Sequence, residues 1–507
     1  MYNFASVLDR NADRFPEKIA LSEGAREITH AELRQRVHTL AAGLDDMGVA
    51  RGAIIGVLMY NHIEFVETMF AANHLGAAVL PLNYRLSPTE WRYILHHGEA
   101  VAVVTESEFA AKIDEIAPEL PRLRHKVTIS AARDSSWTEY SAALHGHEEI
   151  RTPPVDVAPD GLQRLMYTSG TTSRPKGVQI SHQNVLWKNF AHIIEFGLTA
   201  QDNTMICGPL YHVGGMDLPG LATLHAGGRL SLLERFDAAA VVSAFESIRP
   251  TNIWLAPSMM NALLQLPDIA DRDTSSIRFI TGGGEKMPIP LLDRIATAFP
   301  SAWFADAYGL TETVSGDTVN DAAHMRSKIG SVGRPVAHVQ IAIVDENDIP
   351  VPANELGEIV VRGPKVTAGY WRDEQATAQA IRNGWFHTGD IGRLDEDGYL
   401  YIEDRKKDMI VSGGENIATP EIERVLYENP EVVEAAVIGI PHPRWGEVPK
   451  AYVVLRPGSE LDTGDLTRFC RDHLAKFKVP AEIEFLESLP RTPSGKVLKR
   501  SLRTEVS

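Results

Sequence analysis

Residues 167–178 combine hydroxyl, glycine and lysine side chains in a pattern that could bind phosphate groups. The hydroxyl groups, which can donate hydrogen bonds to anionic oxygens, belong to Thr168, Ser169, Thr171, Thr172 and Ser173. Gly170 and Gly177 allow backbone amides to approach a ligand closely, and Lys176 adds a positive charge. This composition predicts a loop that holds the phosphates of a nucleotide triphosphate.

The alternative interpretation of this loop is an ordinary surface turn, because Ser, Thr, Gly and Pro also dominate turns. Apolar residues 165–166 precede it and residues 178–180 follow it, so we expect a turn between two strands rather than the start of a helix. Lys176 precedes Gly177 instead of following a glycine, and the Walker pattern G-x-x-x-x-G-K-[ST] is therefore absent.

A second segment, residues 305–313, carries an aromatic ring, a hydroxyl and a carboxylate close together. Tyr308 offers a face on which a base can stack, and Thr311 offers a hydroxyl for an α-phosphate. Glu312 is a hard oxygen ligand suited to Mg²⁺. Following the loop at 167–178, this segment predicts a second part of the same nucleotide site.

Two charged residues nearer the C-terminus could complete such a site. Asp390 can accept hydrogen bonds from both ribose hydroxyls, although a bare Gly-Asp pair is also typical of a turn. Lys496 follows Ser-Gly on a Pro-flanked loop, whereas a lysine near a C-terminus is commonly only a solubilising charge. We interpret both residues as functional because of their sequence context.

Six segments follow one another in the order found in the adenylate-forming superfamily, which contains acyl-CoA synthetases, peptide-synthetase adenylation domains and beetle luciferases. They are residues 167–178, 209–215, 308–313, 385–390, 404–416 and 490–499. The chain resembles this superfamily over nearly its whole length, and its pattern is closest to that of fatty-acid or aryl-acid CoA ligases. It departs from the superfamily at Ser173, where glycine is common.

The resemblance implies an ATP-dependent acid:CoA ligase that uses Mg²⁺ and coenzyme A. The acid first forms an acyl-AMP with release of pyrophosphate, and the thiol of coenzyme A then displaces AMP. The residues with implied catalytic roles are Thr168, His212, Glu312 and Lys496, of which Thr168 and Glu312 are also the implied metal ligands. The residues implied to bind ATP or coenzyme A are Thr168, Ser169, Gly170, Thr171, Thr172, Lys176, Gly283, Gly284, Glu285, Asp306, Tyr308, Gly309, Thr311, Asp390, Arg405, Gly414, Trp445 and Phe477.

The resemblance also implies the walls of a pocket for the acid. They comprise Tyr211, His212, Val213, Gly214, Met216, Trp254, Ser258, Met259, Gly283, Thr313, Val314, Ser315 and Gly316. None of these residues is an acid or a lysine, so a second charge on the substrate would be buried without a partner. We therefore expect an apolar acid of moderate or large size.

Coenzyme A could contact a short basic segment, residues 476–478, in which lysines flank Phe477. The lysines could face the phosphates of coenzyme A and Phe477 its adenine, with Trp445 as a further contact. The alternative is a helix end at which basic residues interact favourably with the helix dipole.

The composition excludes several other classes of protein. With 507 residues and a net charge of −17, the chain is too acidic for a nucleic-acid partner or for adhesion to an anionic membrane. Its two cysteines, Cys207 and Cys470, are too few and too far apart for a disulfide framework. The N-terminus has no signal-peptide pattern, and no run of eighteen apolar residues occurs, so we expect a cytoplasmic protein without stable membrane insertion. We allow for a homodimer.

The elements that must position these residues are those of an α/β protein. Continuous apolar runs at 53–59, 77–82 and 101–104 alternate with helical patterns, which indicates a mostly parallel sheet. The sequence changes character between residues 329 and 390, where polar and apolar residues alternate in the segments 339–344 and 358–362. This pattern is typical of a small antiparallel β unit, and we predict a barrel-like one near residues 330–400. We predict a large N-terminal domain (1–404), a hinge at 405–408 with its pivot at Lys407, and a small mobile α+β C-terminal lid domain (409–507).

Three alternative functions share many of these motifs. A stand-alone adenylating enzyme could pass the acyl group to a carrier protein or another acceptor, although the F-D-x-S pattern of amino-acid activation is absent after Leu210. A luciferase would oxidise its adenylate. A non-catalytic nucleotide sensor would be expected to lack Lys496, Glu312 or Asp390, and all three are present.

Overall fold

The computed structural model describes residues 2–147, 151–168, 175–283, 289–405, 408–412, 415–443, 445–492 and 496–504. Its strands are β1 (Ile19–Glu23), β2 (Arg26–Thr29), β3 (Ile54–Leu58), β4 (Ala78–Pro81), β5 (Ala102–Thr105), β6 (His125–Thr128), β7 (Thr138–Glu139), β8 (Leu162–Thr168), β9 (Lys176–Ser181), β10 (Asn203–Ile206), β11 (Arg229–Leu232), β12 (Asn252–Leu255), β13 (Phe279–Gly282), β14 (Trp303–Tyr308), β15 (Thr318–Val319), β16 (Arg334–Pro335), β17 (Gln340–Val344), β18 (Gly357–Arg362), β19 (Ile381–Arg382), β20 (Trp385–Leu394), β21 (Leu400–Arg405), β22 (Ile410–Ser412), β23 (Glu415–Ile417), β24 (Val432–His442), β25 (Gly446–Leu455) and β26 (Glu482–Phe485).

The α-helices lie between these strands. They are α1 (Ser6–Arg14), α2 (His30–Asp46), α3 (Ile63–His74), α4 (Pro88–His97), α5 (Ser107–Ile116), α6 (Tyr140–Leu144), α7 (His182–Phe196), α8 (Val213–Met216), α9 (Ala222–His225), α10 (Ala238–Ile248), α11 (Pro257–Leu264), α12 (Ile289–Ala298), α13 (Glu374–Ala380), α14 (Thr419–Glu428), α15 (Thr463–His473) and α16 (Lys499–Thr504). Within the described residues, no helix is long and apolar enough to cross a membrane.

Two large sheets form the N-terminal part of the chain. One has the strand order β7-β6-β5-β3-β4-β8-β9 and is parallel except for the hairpin between β8 and β9. The other has the order β16-β15-β14-β13-β12-β10-β11-β1-β2, with a parallel centre from β14 to β1 and antiparallel strands at both edges. The apolar runs at 53–59, 77–82 and 101–104 are fully buried strands, as predicted from their composition.

Two smaller sheets follow. The antiparallel unit predicted near residues 330–400 contains β17, β18 and β20 in that order, with β19 and β21 both paired to β20. The last sheet has the order β23-β22-β25-β24, with β26 parallel to β25, and is covered by α14 and α15. The fold class is therefore the predicted one, whereas the boundaries at 404 and 409 and the hinge stay predictions.

One local prediction was wrong. The sequence of residues 205–215 predicts a strand that leads into a glycine-rich turn, but Val213–Met216 form the short helix α8. The backbone amide of Gly214 donates to Nδ1 of His212 at 3.1 Å, so this side chain caps the helix. The sequence gave no recognisable helix signal here, because two of the four helical residues are glycines and glycine is a poor helix former.

Candidate active site

The β8–β9 hairpin places the two ends of the phosphate loop opposite each other. Thr168, the last residue of β8, pairs with Lys176, the first residue of β9, in the antiparallel register. The two strands predicted to flank this loop are therefore present and paired. The other predicted phosphate contacts of this loop, Ser169, Gly170, Thr171 and Thr172, lie outside the described residues.

Lys176 and the predicted metal ligand Glu312 meet at the ring of Tyr370. The hydroxyl of Tyr370 donates to Oε1 of Glu312 at 2.9 Å, and Nζ of Lys176 lies 5.0 Å from the centre of the same ring. Burial and the negative charge of Glu312 raise the pKa of Tyr370, so its hydroxyl remains a donor at neutral pH. Sequence analysis missed Tyr370, because a tyrosine in a loop gives no signal of its partners.

Tyr308 and Asp390 also come together, although 82 positions separate them. The buried hydroxyl of Tyr308 donates to Oδ2 of Asp390 at 2.7 Å. Burial and the charge of Asp390 raise the pKa of Tyr308 well above its ordinary value. Asp390 pairs with Arg405 across β20 and β21, so the backbone of another predicted nucleotide residue lies next to it. The side chain of Arg405 lies outside the described residues.

The ends of β13 and β14 bring further predicted residues to the same place. Asp306 pairs with Gly282, next to Gly283, in the parallel register. A side chain at Gly309 would lie 2.4 Å from the backbone nitrogen of Gly316, so glycine is required for the close approach of these two segments. Thr311 begins the 3-10 turn that contains Glu312, whereas Gly284 and Glu285 lie outside the described residues.

The predicted acid pocket is built around the indole of Trp254. This ring lies against the backbone of Gly208 and Gly214, where an added Cβ would be 2.5 Å and 2.4 Å from ring atoms. The rings of Trp254 and His212 are 6.0 Å apart. Of the other predicted wall residues, those that are fully or nearly buried are Tyr211, Val213, Met216, Thr313, Val314 and Ser315, and those on α11 that are partly exposed are Ser258 and Met259.

The positive charge of Lys496, a residue near the C-terminus, acts on His212. Burial and then the positive charge of Lys496 lower the pKa of His212 to about 4, while Asp217 acts in the opposite direction. The imidazole is therefore neutral at physiological pH. The segment of Lys496 is held locally, because its amide donates to Oγ1 of Thr492 at 3.1 Å.

Buried charges lie directly behind the acid pocket, although its predicted walls contain no acid or lysine. Asp217 pairs with Arg164 at 2.6 Å and with Lys188 at 3.1 Å, and Asp317 pairs with Lys365 at 2.7 Å. Burial lowers the pKa of Lys188 to about 8, with Asp217 opposing the shift. Sequence analysis missed these five residues, because a charged residue in an amphipathic pattern is ordinarily assigned to the surface.

The residues predicted to contact coenzyme A belong to the C-terminal part of the chain. Trp445 and Phe477 are 45% and 43% exposed. Nζ of Lys478 pairs with Glu421 at 2.6 Å, and its predicted contact with the phosphates of coenzyme A stays a prediction. Gly414 and the predicted pivot Lys407 lie outside the described residues.

Comparisons with known proteins identify the family of this chain. A model of the AMP-binding enzyme family matches residues 8–371, and a model of the AMP-binding enzyme C-terminal domain matches residues 421–496. The chain belongs to the family of AMP-binding enzymes. Within this family, it is 38% identical over 494 residues to feruloyl-CoA synthase from Amycolatopsis, covering 97% of each chain. It is 37% identical over 502 residues to indoleacetate–CoA ligase from Aromatoleum aromaticum, covering 99% of this chain and 97% of the relative.

Solved structures of AMP-binding enzymes share the whole fold. An anthranilate CoA ligase in complex with anthranoyl-AMP gives a TM-score of 0.92 at 28% identity, over 100% of this chain and 97% of that chain. An amide bond synthetase from Marinactinospora thermotolerans gives a TM-score of 0.89 at 28% identity, over 99% and 100% of the two chains. These matches confirm the predicted α/β fold, with a large N-terminal and a smaller C-terminal domain.

Proposed function

We propose that this AMP-binding enzyme is an ATP-dependent acid:CoA ligase that activates an aromatic acid as its acyl-AMP and transfers the acyl group to coenzyme A. The observation that carries the proposal is that His212, whose ring lies 6.0 Å from the indole of Trp254, also experiences the positive charge of Lys496. A cation next to a largely apolar pocket suits the carboxylate of an otherwise uncharged acid. The relatives named above act on aromatic acids, which supports the same substrate class.

The nucleotide would be held by two separate groups of residues. Asp390 would accept hydrogen bonds from the ribose hydroxyls while it also accepts from Tyr308, and the ring of Tyr308 would lie beside the base. Thr168 and Lys176 lie opposite each other at the two ends of the phosphate loop, and the hydroxyl of Thr168 and the ammonium of Lys176 would bind the β- and γ-phosphates.

Mg²⁺ fits the residues at the phosphate end of this site. Glu312 and Thr168 supply hard oxygen donors. Thr168 pairs with Lys176 across β8 and β9, and Glu312 accepts a hydrogen bond from Tyr370, whose ring lies beside Lys176. When bound, the ion would neutralise negative charge on the phosphate oxygens.

In the first step, an oxygen of the substrate carboxylate attacks the α-phosphorus, and the bond from this phosphorus to pyrophosphate breaks. Two anions must approach each other, so the charge of Lys496 is needed between the carboxylate and the α-phosphate. Neutral His212 lines the pocket without adding a competing charge.

In the second step, the sulfur of coenzyme A attacks the acyl carbon, the thiol proton leaves to solvent, and AMP departs. Lys496 has no role in this step and would occupy the path of the thiol. We propose that the C-terminal domain turns about residues 405–408 between the two steps, which brings the segment around Gly414 to the acid pocket.

Pyrophosphate release measured with a panel of acids tests the proposed substrate class. We expect aryl acids to give the highest kcat/KM, followed by medium-chain acids, because Trp254 provides an extended apolar face. Faster release with acetate, malonate or amino acids would contradict the proposal. Product analysis with coenzyme A, in parallel, identifies the thioester.

A second candidate acceptor is an amine, which the similarity to an amide bond synthetase favours. The same acyl-AMP would then be attacked by nitrogen in place of sulfur. Incubation with acid, ATP and equal concentrations of coenzyme A and a small primary amine distinguishes the two acceptors. Amide as the main product would establish this second function.

A further inference from the structure

Residues 364–371, which we call the strap, lead from β18 towards α13 and pass beside the elements of the nucleotide site. The side-chain amide of Asn184, at the start of α7, donates to the backbone carbonyls of Pro364 and Val366, each at 2.9 Å. The amide of Trp371 donates to a carbonyl of β9 at 2.7 Å. The strap is therefore fixed to the two elements that follow the phosphate loop.

One side of the strap faces a strained turn in the wall of the acid pocket. Val314, Ser315 and Gly316 have φ angles of 56°, 65° and 57°, so three consecutive residues are left-handed. Glycine adopts this conformation freely, whereas a β-branched valine in it is an outlier that neighbouring structure must hold. His192 closes the other side of the turn, because a Cβ at Gly316 would lie 2.4 Å from its Nε2.

Lys365 of the strap binds this turn with its whole ammonium group. Nζ donates to the carbonyls of Ser315 at 2.5 Å and Gly316 at 3.0 Å, and to Oδ1 of Asp317 at 2.7 Å. The other carboxylate oxygen of Asp317 accepts from the hydroxyl of Thr313. Lys365 and Asp317 are fully buried, so these bonds are shielded from water and fix the backbone strongly.

The other end of the strap binds the predicted metal ligand. The amide of Thr367 donates to the backbone carbonyl of Glu312 at 2.7 Å, and the hydroxyl of Tyr370 donates to its carboxylate at 2.9 Å. Lys176 lies over the face of the Tyr370 ring. One short segment therefore contacts the acid wall, the carboxylate and the phosphate-binding lysine.

We propose that the strap is a two-ended positioning element, in which Lys365 shapes the acid pocket and thereby determines acid specificity, and Tyr370 holds the carboxylate of Glu312 in the position from which it would bind Mg²⁺. The inference rests on the proposed function. Lys365 and Tyr370 bind different residues, so mutation should separate the effect on acid specificity from the effect on Mg²⁺. A segment that merely stabilised the fold would not separate them.

The acid end is tested with the double variant Lys365→Met/Asp317→Asn, which removes both charges together and leaves no lone buried ion. Acid-dependent ATP–pyrophosphate exchange is measured for the preferred aryl acid and for a smaller acid. We expect the ratio of their kcat/KM values to fall about tenfold, with a higher KM for the preferred acid, because the wall of the pocket is displaced. The matched control is Tyr370→Phe, for which the ratio should stay within about twofold of the wild type.

The metal end is tested with Tyr370→Phe itself, which keeps the ring beside Lys176 and removes only the hydroxyl. Calorimetric titration with ATP, once with Mg²⁺ and once with EDTA, measures how strongly the ion improves binding without reference to activity. We expect this improvement to fall about tenfold in Tyr370→Phe. In the double variant at the acid end it should stay within about twofold of the wild type.

The proposal is wrong if both variants change both measurements to the same extent, or if neither variant changes either one. If circular dichroism shows that the double variant is unfolded, Lys365→Arg takes its place, since it keeps the charge but has a planar head that cannot reproduce all three bonds. An unchanged acid ratio in Lys365→Arg would then overturn the acid end. A wild-type protein without acid-dependent exchange would refute the proposed function instead, and the ATP titrations would still decide the role of Tyr370.

Discussion

Replacing Asp390 by alanine should affect both ATP binding and stability, because its carboxylate is the proposed acceptor for the ribose hydroxyls and also accepts a hydrogen bond from buried Tyr308. Loss of two ribose hydrogen bonds to a charged acceptor, at about 1.5 kcal/mol each, weakens ATP binding by about 3 kcal/mol, or roughly 100-fold. Loss of the charged acceptor of the Tyr308 hydroxyl should lower the free energy of unfolding by about 2 kcal/mol.

A double variant separates the two effects of Asp390. In Tyr308→Phe/Asp390→Ala, the buried donor disappears together with its acceptor, so much of the lost stability should return while ATP affinity stays low. ATP affinity is measured by calorimetric titration, and stability by the midpoint of urea unfolding. Asp390→Asn, which keeps one acceptor oxygen and the shape of the side chain, should lie between the wild type and the alanine variant in both.

Two results would refute this reasoning about Asp390. Unchanged ATP affinity in Asp390→Ala would remove the carboxylate from the nucleotide site. Equal unfolding midpoints for Asp390→Ala and the double variant would mean that the hydrogen bond to Tyr308 contributes nothing to stability.

Three further predictions concern other parts of the molecule. Lys496→Ala should reduce acyl-CoA formation from acid and ATP by about 10²–10³-fold but leave its formation from supplied acyl-AMP nearly unchanged. A parallel fall in both rates would contradict the proposed turn of the C-terminal domain between the two steps. Four buried histidines have a pKa lowered to about 4, mainly by burial, namely His74, His182, His212 and His225. Because the unfolded chain binds their protons near pH 6.5, stability should be complete above that pH and fall by up to about 5 kcal/mol per unit towards pH 4; a urea midpoint that is flat from pH 7 to 4.5 would exclude this. Burial raises the pKa of Cys207 to about 12 and that of Cys470 to about 11, so both thiols should react with a disulfide reagent only after unfolding, and fast reaction of the native protein would contradict their burial.

The amino-acid sequence by itself determined the elements and the order of the nucleotide motifs. The runs at 53–59 and 101–104 are apolar throughout, and that composition suits a strand covered on both faces. Apolar residues 165–166 and 178–180 on either side of the phosphate-loop motif predicted two flanking strands, and its hydroxyls, glycines and lysine are groups that suit phosphate. These features are local, so they can be read without knowing which distant residues meet.

The tertiary structure alone decided which partners these residues have. Tyr308 and Asp390 are 82 positions apart, and Tyr370 and Glu312 are 58 apart, so no periodicity links them. Lys365 reads in the sequence as a surface residue, yet it is buried on a left-handed turn and balanced by Asp317. Hydrophobic patterning records whether a residue is buried, but the pairing of buried charges depends on how separate sheets pack together, and the shape of the acid pocket follows from that packing.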